Sequence, residues 1–96
     1  MGLIIISLYT LPGCLAMTTP TKKLLAFDLG AESGRAVLGR IDGGKLTLNV
    51  VHRFANRPVK LLDSLHWDVL FLYSQMLDAL RRCANSGGVD AIGIDT

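Results

Sequence analysis

From residue 24 onward the apolar positions fall into short runs whose period changes along the chain. Residues 24–28 form one run and residues 35–41 a second, separated by a turn that carries Gly30 and Gly34. Each is too short for a stable helix and reads as a strand with a buried face. Asp42-Gly43-Gly44 predicts a tight hairpin, because glycine accepts the positive φ such turns require. A third strand is predicted over residues 45–54, with Leu46, Leu48, Val50 and Phe54 on one face and Thr47, Asn49 and Arg53 mostly on the other. The same alternation sets His52 on the apolar face. There it is either a pocket residue or, as the commoner arrangement, a packed ring hydrogen-bonded to a backbone carbonyl.

Residues 55–65 contain Pro58 and keep no period, which predicts a loop or crossover. The pattern then turns helical over residues 68–85. Leu70, Tyr73, Leu77, Leu80 and Ala84 form the main apolar stripe, Val69, Leu72, Met76 and Cys83 adjoin it, and Ser74, Gln75, Asp78, Arg81, Arg82 and Asn85 lie opposite. Such a helix packs on a sheet rather than on a membrane. Asp68 suits its start, Arg81 and Arg82 its negative end, and Ser86-Gly87-Gly88 its stop. Residues 89–95 read as a fourth strand. The first three strands predict an antiparallel meander, and the helical crossover lets the fourth lie parallel to the first, with Asp95 and Asp28 at one edge. Crevices at the carboxyl ends of strands are where open α/β sheets bind ligands.

The chemistry concentrates between Asp28 and Arg35. An apolar strand ending in Asp-x-Gly delivers a carboxylate to a turn whose backbone N–H groups lack ladder partners, and converging N–H groups attract anions. A carboxylate repels a phosphate unless a cation lies between them, so this pattern suits Mg-nucleotide better than free phosphate. Asp-x-Gly is equally compatible with ordinary turn chemistry, with Ser33-Gly34 as the turn itself.

Composition narrows the classes. Ninety-six residues allow one small domain, and a chain that is 50% hydrophobic is a core-rich globular piece, not a disordered tail. A net charge of +2, spread over Lys22, Lys23, Arg35, Arg40, Arg53, Arg57, Arg81 and Arg82 in blocks no longer than two, argues against a nucleic-acid partner. Cys14 and Cys83 have no metal-ligand spacing with His52 or His66 and read as free thiols in a reducing, cytoplasmic compartment. Residues 3–11 resemble the core of a secretion signal, and Leu11-Pro12-Gly13-Cys14 faintly a lipoprotein cleavage site. No Lys or Arg precedes Lys22, however, and the run is too short to span a bilayer. Residues 1–16 are therefore expected to be a non-core extension, with translation starting at Met17, and residues 17–96 the first part of a lobe that continues past Thr96.

Asp28-Leu29-Gly30-Ala31-Glu32-Ser33-Gly34-Arg35 resembles the first phosphate-binding loop of the sugar kinases related to glycerol kinase and xylulokinase, within the superfamily of actin, Hsp70 and hexokinase. Most of those kinases carry Asp-x-Gly-Thr-[Ser/Thr] here. The form Asp-Leu-Gly-Ala-x-Ser-Gly-Arg is similar to that of the rhamnulokinases. His52-Arg53-Phe54-Ala55-Asn56, His66-Trp67-Asp68-Val69 and Ile92-Gly93-Ile94-Asp95-Thr96 also resemble stretches of that family, whereas residues 1–16 do not.

The resemblance implies an α/β, ribonuclease H-like (actin-like ATPase) fold, present as the β-β-β-α-β portion of an N-terminal lobe. It implies ATP-dependent phosphorylation of L-rhamnulose to L-rhamnulose 1-phosphate with Mg2+, by a cytoplasmic enzyme with no membrane or nucleic-acid partner; a monomer is the expectation for the parent, whose oligomeric state the sequence leaves open. Gly30, Ala31, Glu32, Ser33, Gly34 and Arg35 would contact the nucleotide, Asp28 would order Mg-bound water, and Asp95 is a weaker metal candidate. The catalytic base, adenosine pocket and second phosphate loop fall downstream in the family, and the sugar-contacting residues just after Thr96. No catalytic base is therefore expected in this span, and the piece alone is not expected to catalyse. Other readings are a fuculose or xylulose kinase, a non-catalytic ATP-binding protein of the superfamily, and a secreted or lipid-anchored module resting on residues 11–14.

Overall fold

The computed structural model describes the backbone of residues 3–7 and all of residues 20–96. Its elements in chain order are strands β1 (Leu3–Ser7), β2 (Lys22–Leu29), β3 (Ser33–Asp42), β4 (Lys45–Ala55), β5 (Pro58–Leu61) and β6 (Ser64–Trp67), helix α1 (Val69–Asn85) and strand β7 (Ala91–Asp95). The result is an α/β structure with a mixed five-stranded sheet, ordered β1-β7-β2-β3-β4, and a separate β5-β6 hairpin. The predicted meander is present: β2 pairs antiparallel with β3, and β3 with β4. Gly43 and Gly44 make the turn between β3 and β4 with φ of 54° and 81°, the positive values that glycine permits.

The helical crossover places β7 parallel to β2, with Asp28 opposite Asp95. Two backbone-anchored contacts hold the other end of this pair. The Lys23 N–H donates to Asp90 Oδ2 at 2.8 Å and the Asp90 N–H donates to the Lys23 carbonyl at 2.7 Å. Lys23 Nζ also reaches the Ser86 carbonyl at 3.0 Å, at the end of α1. Asp68 caps the helix start, its Oδ1 accepting from the Phe71 N–H at 2.9 Å, and Gly87 and Gly88 end it with φ of 97° and 77°.

Three expectations are corrected. Residues 55–65 are not a loop throughout, because Pro58–Leu61 and Ser64–Trp67 pair antiparallel around a two-residue turn in which Leu62 takes φ 55°. Pro58 disguised the hairpin; it opens a strand, where proline costs no interior ladder bond. The helix also turns the adjoining stripe inward rather than the main one. Leu72, Ala79 and Cys83 are buried, whereas Val69, Leu70 and Tyr73 are 67%, 81% and 57% exposed. The small Ala79 and Cys83 side chains fit against Leu25, Phe27 and Ala36, and a close-packed interface selects shape over the widest apolar stripe.

The third correction concerns β4. Val37 faces Val50 but Ala36 faces His52, so Val51 is the extra residue of a β-bulge and the alternation reverses there. Leu46, Leu48 and Val50 lie on the face away from the helix and are 57%, 69% and 39% exposed, while Phe54 is buried on the helix side. His52 also lies on that side. Its Nε2 hydrogen-bonds Gln75 Oε1 at 2.9 Å, so its partner is a side chain of the helix and not a backbone carbonyl.

Residues 3–7, assigned no element by the sequence reading, pair antiparallel with β7. Three consecutive isoleucines, β-branched and apolar, favour a strand as readily as a signal core. The remainder of residues 1–16, including Cys14, lies outside the described residues.

Gly34 sits directly beneath the Phe54 ring, where an added Cβ would collide with the ring edge. Gly34→Val is expected to destabilise the chain by about 1–3 kcal/mol through overpacking. In a thermal-denaturation double-mutant cycle, Phe54→Leu should recover part of that loss. Burial raises the Cys83 thiol above its ordinary value, with Lys23 opposing in part. The folded state therefore favours the protonated thiol. Its contribution is complete below the unfolded value, about 8.5, and is lost as pH rises through the folded one. Urea midpoints should fall on raising the pH beyond roughly 8.5, and Cys83→Ala should flatten that dependence.

Candidate functional site

The candidate site lies where β2 and β7 end together. Residues paired across strands share a face of the sheet, so the register draws one row of side chains over four strands: Asp95, Asp28, Arg35 and Arg53. Two carboxylates are followed by two guanidiniums. Arg35 Nε donates to Asp28 Oδ2 at 2.9 Å, and both side chains are about half exposed, 49% and 47%. An ion pair that wet contributes at most about 1 kcal/mol. It orients both groups without locking them.

The turn from Gly30 to Ser33 is closed by the Gly30 N–H, which donates to the Ser33 carbonyl at 2.9 Å. A Cβ at Gly30 would stand 2.9 Å from the same oxygen, so the close approach needs glycine. Asn56, 4% exposed, supports the turn from beneath. Its Nδ2 donates to the Gly30 carbonyl at 2.6 Å, and its backbone N–H donates to the Glu32 carbonyl at 2.9 Å. Among the described residues the Ala31 and Glu32 amides donate to no protein group. The turn is thus tied down through its carbonyls and keeps two N–H groups in reserve, a basis for anion binding.

The structure therefore gathers Asp28, Gly30, Ala31, Glu32, Ser33 and Arg35 around one turn and brings Asp95 into register beside Asp28. Gly34 follows directly at the start of β3, buried against Phe54. In the sequence Asn56 and Arg53 fall within the stretch 52–56 that resembles the family, and neither is given a site role there. A polar residue just past a strand end is the local signal for Asn56; the face of Arg53 is decided by the bulge.

A cleft of about 630 Å³ adjoins the turn. It is lined by Leu29, Gly30, Ala31 and Asn56 beside the turn, by Trp67, Tyr73 and Met76, and by Thr96. Among the described residues no group of three or more His, Cys, Asp or Glu side chains could enclose a metal ion. One or two carboxylates suit Mg2+, which keeps several waters and takes phosphate oxygens as ligands, and do not suit a protein-enclosed metal. No helix among the described residues is long and apolar enough to cross a membrane.

No family model matches the chain. It is similar to curated rhamnulokinases over about three quarters of its length. The rhamnulokinase of Bacteroides thetaiotaomicron is 38% identical over 76 residues, 78% of this chain and 16% of its own length. That of Oceanobacillus iheyensis is 38% identical over 73 residues, 75% of this chain and 16% of its own length. For Bacillus subtilis the figures are 38% over 72 residues, 74% and 15%. The chain thus spans about one sixth of the length of the curated relatives it matches.

The buried Asn56 amide is the support that distinguishes this turn from a free loop. Asn56→Ala should cost about 1–2 kcal/mol, a lost hydrogen bond plus an unpaired carbonyl. Amide hydrogen exchange should then speed up at residues 30–33 while the β2–β7 pairing keeps its protection. Unchanged exchange at the turn would show that the Asn56 contact does not hold it.

Proposed function

We propose that this chain supplies the first phosphate-binding loop of an ATP-dependent sugar kinase acting on L-rhamnulose and forming L-rhamnulose 1-phosphate. The carrying observation is the turn between Asp28 and Arg35, held by Asn56 at the shared end of β2 and β7 in a chain similar to rhamnulokinases. The four main strands and the crossover helix follow the order expected of a ribonuclease H-like lobe, and we assign them to one.

In phosphoryl transfer the sugar 1-hydroxyl oxygen bonds to the γ-phosphorus, the bond from that phosphorus to the ADP oxygen breaks, and the hydroxyl proton passes to a base. MgATP supplies the phosphoryl group when bound. On this reading the Ala31 and Glu32 amides hold phosphate oxygens, at no cost in reorganisation because the turn is already anchored. Arg35 spreads positive charge over the transferring group, and Asp28, accepting Arg35 through one oxygen, keeps the other for metal-bound water. On the helix side of the same turn Trp67 and Tyr73 line the adjoining cleft and offer aromatic surface against which a sugar's C–H face packs; the choice among ketoses is assigned to the residues expected after Thr96. No side chain within the described residues is assigned as the base.

The test is a chimera in which residues 24–96 replace the matching segment of the Bacillus subtilis rhamnulokinase. It should phosphorylate L-rhamnulose in preference to D-xylulose. Asp28→Ala in the chimera should lower kcat by about 100-fold or more while KM for the sugar changes little. A folded chimera without kinase activity, or an Asp28→Ala form with near-normal kcat, would refute the assignment.

A further inference from the structure

The β4 bulge has a consequence for charge. Strict alternation would place Arg53 opposite to the face of Leu46, Leu48 and Val50; the extra residue Val51 reverses this and brings Arg53 into register with Arg35. Like charges directly opposite on a sheet are destabilising. Asp28 compensates Arg35 at 2.9 Å, whereas Arg53, an exposed side chain, makes no ion pair among the described residues. Bulges recur beside active sites, where they re-aim one side chain. Here the bulge re-aims a cation toward a cation, an arrangement that becomes favourable once an anion bridges the two.

We propose that Arg35 and Arg53 form a two-guanidinium clamp for a polyphosphate chain, with Arg53 as a phosphate-binding residue beside the turn. The row Asp95, Asp28, Arg35, Arg53 then divides by function. Its acidic half faces a hydrated cation, and its basic half takes the phosphate oxygens that this cation leaves uncovered. Guanidinium groups suit the task because each presents a planar fork of N–H donors to phosphate oxygens. Only the identification of the anion as the phosphates of ATP rests on the kinase reading; the clamp itself rests on register and charge.

The test uses the 96-residue chain, its Arg53→Gln and Arg53→Lys variants, and inorganic tripolyphosphate as probe, with thermal melting and calorimetric titration as readouts. In the absence of the probe, Arg53→Gln should melt roughly 2–4 °C above the parent, because a like-charge contact is relieved. With tripolyphosphate the parent should gain stability. Arg53→Gln should gain little and bind about tenfold or more weakly, and Arg53→Lys should fall between, keeping the charge without the fork. If Arg53→Gln binds the probe as tightly as the parent, the clamp is overturned and the kinase reading stands. If the folded parent does not bind the probe at millimolar concentration, the clamp is likewise overturned, and the kinase reading is decided separately by the chimera.

Discussion

A parallel pair of strands cannot be closed by a tight turn, so the chain between β2 and β7 must leave the sheet and return. That single requirement organises the molecule. The return is made by α1, whose arrival is fixed by the reciprocal bonds between Lys23 and Asp90 and by the Lys23 contact to the helix end. Once those bonds set the register at one end of the pair, Asp28 and Asp95 are necessarily opposite at the other. The candidate site is therefore placed by contacts at the far end of the strands that frame it.

The helix that makes the crossover also makes the core. Leu25, Phe27 and Ala36 receive Ala79 and Cys83, and the small size of the helix residues lets the two layers approach. The opposite face of the sheet carries Leu46 and Leu48, more than half exposed, together with Val50.

The segment at the end of β4 ties these layers to the site. Within five residues His52 bonds the helix through Gln75, Arg53 joins the charged row, Phe54 covers Gly34 and Asn56 carries the turn from Gly30 to Ser33. The bulge at Val51 puts each of them on the side where it acts. Without the reversal Phe54 would be on the solvent side, and Gly34 would have nothing to accommodate.

Local patterns determined the main elements, though not the β5–β6 hairpin or β1. Strand period, the Asp42-Gly43-Gly44 turn, the Asp68 cap and the glycine stop of α1 are read within a few residues, and all appear where nearest-neighbour physics puts them. Asp-x-Gly at a strand end, and the parallel return that sets Asp95 beside Asp28, were legible for the same reason: turn chemistry and crossover geometry depend on short stretches. What only the tertiary structure decided is which face each element shows. One unpaired residue at Val51 reverses half of a strand, the fit of Ala79 and Cys83 chooses among apolar stripes, and Asn56 meets Gly30 across 26 positions of chain. Those outcomes depend on packing between segments distant in sequence, where no local period carries the information.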